Sequence, residues 1–134
     1  MEHAKEMAAL GSAVQEHALS LDDFATKGHH LWVVWDGNQP IGCAALCEIS
    51  PTHIELKSLR TRKAYRRKGV ASQLLQFLFQ KALLLGYDRM SLSTGTHEYF
   101  DAARELYIQH GFAFCLPWEG QNKTEQVEFM TREI

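Results

Sequence analysis

Apolar side chains recur along this chain with two different periods, and the switch between them marks its elements. From Val70 onward the positions Val70, Leu74, Leu75, Leu78, Phe79, Ala82 and Leu83 follow one another at spacings of three and four. That spacing predicts an amphipathic helix with one buried face, ended by Gly86. Upstream, LWVVW (31–35) and IGCAALCEI (41–49) are strand-like runs separated by Asp36-Gly37-Asn38-Gln39-Pro40, a turn signal that joins them as a β-hairpin. HIELKSLRT (53–61) follows a Ser50-Pro51 turn and is read as an alternating segment. A third strand is expected there, with His53, Glu55, Lys57, Leu59 and Thr61 on one face and Ile54, Leu56, Ser58 and Arg60 on the other.

The remaining segments are shorter. DRMSLSTG (88–95) reads as a strand, FDAARELYIQH (100–110) as a helix that Gly111 ends, and FAFCLPW (112–118) and VEFMTREI (127–134) as two closing strands. At the N-terminus, residues 2–10 suit a short helix, and Ser20 with Asp23 resembles a capping box opening a second one that stops near Gly28. The order ααβββαβαββ predicts a single α/β domain over residues 1–134, with a mixed sheet and flanking helices.

Composition narrows the class. A chain of 134 residues with 46% apolar and 22% charged side chains can bury a core without disulfides or a structural metal. Apolar runs such as Ala82–Leu85 are too short to span a bilayer, and MEHAKEMAALGSA lacks the basic flank and apolar stretch of a secretory signal. A cytoplasmic protein without a membrane partner is expected. Cys43, Cys47 and Cys115 are an odd set without zinc-ligand spacing, and the adjacent His29 and His30 point apart on any regular element. No metal is expected.

Net charge is −2, yet AYRRKGVASQLL (64–75) gathers three cations before a glycine at the mouth of the predicted helix. A helix N-terminus carries unsatisfied N–H donors and about half a positive charge. Gly69 lets a ligand approach the backbone, Ala71 keeps the first turn uncrowded, and Arg66, Arg67 and Lys68 add charged donors. The guest that fits is a phosphate or diphosphate; a solvated basic loop with a glycine turn fits the same residues. Neither G-x-x-x-x-G-K-[ST] nor G-x-G-x-x-G occurs, which disfavours ATP, GTP and NAD. Arg60, Arg62, Lys63, Arg66, Arg67 and Lys68 could also meet a nucleic acid. The rest of the chain is acidic overall and no nucleic-acid-reading motif accompanies the run, so no such partner is expected.

Arg66-x-x-Gly69-x-Ala71 resembles motif A, [QR]-x-x-G-x-[GA], of the GNAT superfamily of acetyl-CoA-dependent N-acetyltransferases. Three further features agree with it: the preceding strand, the long amphipathic helix after it, and Ala103-x-x-Leu106-Tyr107-x-x-x-Gly111-Phe112, which resembles the family's A-x-x-L-Y-x-x-x-G-F segment. The resemblance spans residues 53–112 and is strongest to small bacterial members.

The resemblance implies a GNAT fold, acetyl-CoA as acyl donor, no metal, and acetyl transfer to a primary amine of a small molecule by direct attack on the thioester. It implies that backbone N–H groups from Arg66 through Arg67, Lys68, Gly69, Val70 and Ala71 to Ser72 hold the diphosphate. It also implies that the strand before motif A splays from the next one, so that backbone groups at Leu59 and Thr61, with Arg60 between them, meet pantetheine and the thioester carbonyl. Glu55, eleven residues before Arg66, matches a base glutamate of the family; His53 or a water relay remains open as the base. Tyr107 matches a tyrosine that protonates the departing thiolate. An acetyl-CoA-binding sensor that docks on a partner without turnover is the alternative function.

Two departures stand out. Phe100 occupies a position where many relatives have Asn, and the strand that usually opens the fold is missing before the first helix. An exposed sheet edge at residues 31–35 is then expected, and with it a homodimer through that edge.

Overall fold

The computed structural model describes residues 28–65 and 69–134, together with the backbone of Gln15–Glu16. The helices expected over 2–10 and 20–28 lie outside the described residues.

Seven strands form one mixed sheet: β1 (Gln15–Glu16), β2 (His29–Asp36), β3 (Gln39–Ser50), β4 (His53–Thr61), β5 (Arg89–Gly95), β6 (Ala113–Cys115) and β7 (Val127–Glu133), in the spatial order β1-β2-β3-β4-β5-β7-β6. Two helices are described, α1 (Val70–Leu84) and α2 (Asp101–Gln109). Every pairing is antiparallel except β4 with β5. The parallel pair is joined through α1, as a parallel connection requires.

The hairpin forms where the turn signal placed it. Gly37, at φ +59°, and Asn38 make the bend between β2 and β3, a conformation glycine adopts without a side-chain penalty. α1 buries Val70, Leu74, Leu75, Leu78, Phe79 and Ala82 against Trp32, Ala44, Leu46, Ile54, Leu56 and Met90 of the sheet. Leu83 departs from the periodic expectation, being 51% exposed. It lies in the last turn of the helix, which ends beyond Leu84: Gly86, at φ +97°, takes the left-handed position, and the Tyr87 N–H donates to the Ala82 carbonyl at 3.0 Å.

Two expectations are corrected. The missing edge strand is present in reduced form: Gln15 pairs with Val33 and Glu16 with Trp32. The argument for a homodimer through 31–35 rested on unpaired backbone, and at these two residues the backbone is paired. The alternation in β4 also breaks. Ala45 faces Ser58 and Leu46 faces Leu56, so two residues of β4 oppose one of β3 and Lys57 is the extra residue of a β-bulge. Beyond it the face assignment inverts. Leu59 packs on the core cluster that holds Ile54 and Leu56, not on the face of Glu55.

Candidate active site

The bulge lies where β4 leaves β5. The two strands pair through His53–Arg89, Ile54–Met90 and Glu55–Ser91, and no ladder pair joins them beyond that among the described residues. β5 continues to Gly95 against β7 on its other side, so the separation belongs to β4 and β5 alone. Their backbone groups facing the gap lack sheet partners, and such groups need a ligand or water. The slot between them has a volume of about 330 Å³. Lys57–Arg60 form one wall, Ser93–Gly95 the other, and Phe100, Ala103, Tyr107 and Val127 complete it.

Glu55 sits at the closed end of this fork. It is 7% exposed, and burial pushes its carboxyl above the usual glutamate range despite Lys57 Nζ at 3.7 Å from Oε2. Across the sheet it faces Cys47, whose thiol is pushed up by burial and by the Glu55 charge. Cys47 is therefore a protonated neighbour and a poor nucleophile.

His53, one pleat earlier, is tied into a polar row. Arg89 donates to Thr131 Oγ1 at 3.1 Å; Thr131 and Ser91 share a hydrogen bond at 2.8 Å, and Ser91 lies 2.6 Å from His53 Nε2. Thr131 Oγ1 accepts from the Arg89 guanidinium and can direct its own proton either to Ser91 or to the Met90 carbonyl at 3.4 Å, so Ser91 meets His53 Nε2 as donor or as acceptor. His53 Nε2 is thus engaged by Ser91 whichever of the two donates. Burial and the Arg89 charge lower its pKa as well.

Tyr107 is buried on α2, lines the slot, and packs edge-on against Phe112. Burial raises its pKa, so the phenol keeps its proton at neutral pH. The carboxyl-terminal wall of the slot is held by Arg104, which donates to the carbonyls of Gly95 and His97 and pairs with Asp101.

The anion seat is partly described. Arg66, Arg67 and Lys68 lie outside the described residues. Gly69 is the N-cap of α1 at φ +80° and ψ 6°, and neither a side-chain cap nor an acidic residue occupies the first turn. The first helical bond runs from Gln73 N–H to the Gly69 carbonyl at 3.0 Å, which leaves the N–H groups of Val70, Ala71 and Ser72 without intrahelical acceptors. Gln73 Nε2 is buried without a partner among the described residues and lies 3.9 Å from where a Cβ on Gly69 would stand. A helix mouth with orphan donors and no internal cap fits the diphosphate of a CoA ester.

Of the residues expected in the cofactor site, Leu59 and Arg60 line the slot, and Thr61 pairs with Gly42 at its open end. The pattern missed Lys57, Ser58, Ser93, Thr94 and Gly95. It also missed the role of Phe100, whose ring lies across Gly95: a Cβ there would stand 2.4 Å from Cδ2 and Cε2. Gly95→Ala should therefore drive the ring into the slot and raise the KM for acetyl-CoA about fivefold, by overpacking of a close contact. Adding Phe100→Ala should restore it, which steady-state kinetics would show. Of the other aromatic residues, Trp32 is core, Trp118 packs edge-on against His53 and Phe129, and Tyr99 and Phe114 are exposed.

Among the described residues no group of three His, Cys, Asp or Glu side chains could hold a metal ion, and no helix is long and apolar enough to cross a membrane.

Comparison with known proteins agrees with this architecture. YsnE of Bacillus subtilis (strain 168), an uncharacterized N-acetyltransferase, is 37% identical over 99% of this chain and 88% of its own length. YedL of Escherichia coli (strain K12), likewise an uncharacterized N-acetyltransferase, is 39% identical over 87% of this chain and 73% of its own. The fold superposes on a GNAT family acetyltransferase from Elizabethkingia anophelis with acetyl-CoA bound, at a TM-score of 0.72 and 18% identity, covering 90% of this chain and 97% of that one. A Bacillus subtilis acetyltransferase in complex with CoA superposes at 0.67 and 17% identity, covering 97% and 92%. The sequence model of the acetyltransferase (GNAT) family matches residues 3–112. On this agreement of sequence, sheet topology and forked strand pair, the chain belongs to the GNAT family and is an N-acetyltransferase.

Proposed function

We propose that this enzyme takes acetyl-CoA as its acyl donor and transfers the acetyl group to a primary amine of a small molecule by direct attack on the thioester. The observation that carries the reading is the fork: β4 and β5 part immediately after Glu55, and Tyr107 stands on the wall of the gap they leave.

In this reading the Gly69–Ser72 backbone, with Arg66, Arg67 and Lys68 beside it, binds the diphosphate. The unpaired backbone of Lys57–Arg60 orients the pantetheine arm and supplies an N–H to the thioester oxygen as negative charge develops there, a leading contribution in acyl transfer. An ammonium has no lone pair to attack with, so the acceptor must be deprotonated. Glu55 takes that proton, directly or through one water. It is preferred over His53 because, among the described residues, its carboxylate has no hydrogen-bonding or ionic partner other than a loosely held, half-exposed Lys57, whereas His53 Nε2 is engaged by Ser91 at 2.6 Å.

Tyr107 donates to the departing sulfur. Burial holds the Tyr107 phenol above the usual tyrosine range, itself higher than that of a thiol, so the tyrosine stabilises the thiolate by a hydrogen bond more than by full proton transfer. Tyr107→Phe should accordingly lower kcat only about tenfold, with the folded structure retained. Free thiols at Cys43, Cys47 and Cys115 fit a reducing compartment, and the cytoplasm is the proposed setting. The reading is tested by release of free CoA thiol from acetyl-CoA in the presence of a panel of small primary amines. Amine-dependent release is expected, and its absence across amino acids, polyamines and aryl-alkyl amines would overturn the proposed acceptor class.

A further inference from the structure

His110 joins the two helices of the site through one ring. Its Nδ1 lies 2.9 Å from Gln76 Nε2 and its Nε2 lies 3.0 Å from Ser72 Oγ. Ser72 and Gln76 are one turn apart on α1, and His110 is the C-cap of the helix that carries Tyr107. The ring is held in turn by its own backbone: Arg132 donates to the His110 carbonyl at 2.5 Å while its guanidinium lies 4.1 Å over the Phe79 ring.

The direction of these bonds follows from the donors available. An amide nitrogen donates, so Nδ1 accepts from Gln76, and a neutral imidazole then carries its single proton on Nε2. Burial and the Arg132 charge keep His110 below the usual histidine range, consistent with a neutral ring. Nε2–H therefore donates to Ser72 Oγ. A hydroxyl that accepts in this way keeps its own proton for a different acceptor. Ser72 is the third residue of α1, where side chains lean back toward the N-terminus and over the open first turn.

We propose that His110 is a positioning residue for the acyl donor: by donating to Ser72 Oγ it turns the serine hydroxyl into a directed proton donor for a diphosphate oxygen of CoA. The inference rests on the proposed diphosphate seat at Gly69–Ser72 and adds a contact that motif A does not contain. It also ties the seat to the Tyr107 helix, so that one ring fixes both ends of the donor site.

The test compares two donors, acetyl-CoA and S-acetylpantetheine, which keeps the thioester and lacks the diphosphate. Ser72→Ala and His110→Phe should each raise the KM for acetyl-CoA about ten- to a hundredfold with little change in kcat, the size expected for one hydrogen bond to a charged group. The preference for acetyl-CoA over S-acetylpantetheine in kcat/KM should fall by the same factor. His110→Gln, whose amide can still donate to Ser72, should recover most of the preference. The double variant S72A/H110F should be no worse than S72A, because both changes remove one contact. Should H110F not fold, His110→Asn, which keeps the Gln76 side and cannot reach Ser72, takes its place. Equal losses with both donors, or losses that multiply in the double variant, would overturn the proposal and leave His110 a merely structural clasp. Calorimetric titration of the wild-type protein with CoA separates the levels. A normal heat with multiplying losses overturns the His110 role alone, whereas absence of any heat removes the diphosphate seat and this inference with it.

Discussion

Glu55→Gln, on the proposal that this carboxylate is the base, should slow acetyl transfer at neutral pH by about 10²- to 10³-fold, the range typical for loss of a positioned general base, and at the same time raise the melting temperature. Both effects have one cause. Glu55 is 7% exposed, and burial holds its carboxyl above the usual range, so the ionised form that accepts a proton is the form the fold tolerates least. For stability, a carboxyl whose folded pKa is raised binds more protons in the native state than in the unfolded one. Stability is then full below the unfolded pKa and is lost as pH rises through the folded value. Glutamine carries no charge to desolvate, so the gain in melting temperature should appear at neutral pH and vanish as pH falls below the ordinary carboxylate range. Loss of the 3.7 Å contact to Lys57 offsets little, because that ammonium is 52% exposed. For activity the same carboxyl sets a lower limb in kcat/KM that rises with pH through the raised pKa, and the limb should be absent in the variant. A pH–rate profile and melting curves over the same pH range check both. A profile whose lower limb persists unchanged in E55Q would assign the base elsewhere.

Ala71→Glu should weaken CoA binding sharply without harming the fold, on the proposal that the diphosphate sits on this turn. The first turn of α1 holds no acidic residue, and a carboxylate in a first turn stabilises a helix by about 0.3–1 kcal/mol through the orphan N–H groups. The unliganded variant should melt at or slightly above the wild-type temperature. A second negative charge about 4 Å from a phosphate opposes binding by about 3–4 kcal/mol in a partly shielded site. Affinity for CoA should fall at least about a hundredfold. Calorimetry with CoA and a melting curve without it separate the two effects. Unchanged affinity would mean that the diphosphate does not sit on this turn.

Much of the local structure around the candidate site is legible in the chain because its parts are local. The apolar spacing from Val70 to Ala82 encodes the buried face of α1, and Gly69 and Ala71 at its start need only the neighbouring residues to be recognised as an open helix mouth. The hairpin of β2 and β3 announces itself through Asp36-Gly37-Asn38, whereas Glu55 is singled out only through its resemblance to a base glutamate of the GNAT family. What was not legible depends on a partner strand. In HIELKSLRT the apolar spacing changes from two (Ile54, Leu56) to three (Leu59), but only the register of β3 shows that Lys57 is the extra residue and that Leu59 turns to the core. β1 is Gln15–Glu16, without an apolar alternation to betray it, so its pairing with Trp32 and Val33 is a tertiary fact. The second wall of the slot, Ser93–Gly95, reads as an ordinary strand until β4 diverges from it, and the need for glycine at 95 appears only when the Phe100 ring folds across it. Leu83 shows the opposite failure: it keeps the helical period but lies in the last turn of the helix, just before the chain turns away at Gly86.

The central claim is that the acyl donor lies along the parted backbone of β4 with its diphosphate on the first turn of α1. Amide hydrogen exchange, measured with and without a saturating concentration of CoA, tests it most directly. The account predicts slowed exchange at 57–61 and at 69–72 together, since the same ligand satisfies both sets of orphan donors. Protection confined to other segments, or none at either, would contradict it.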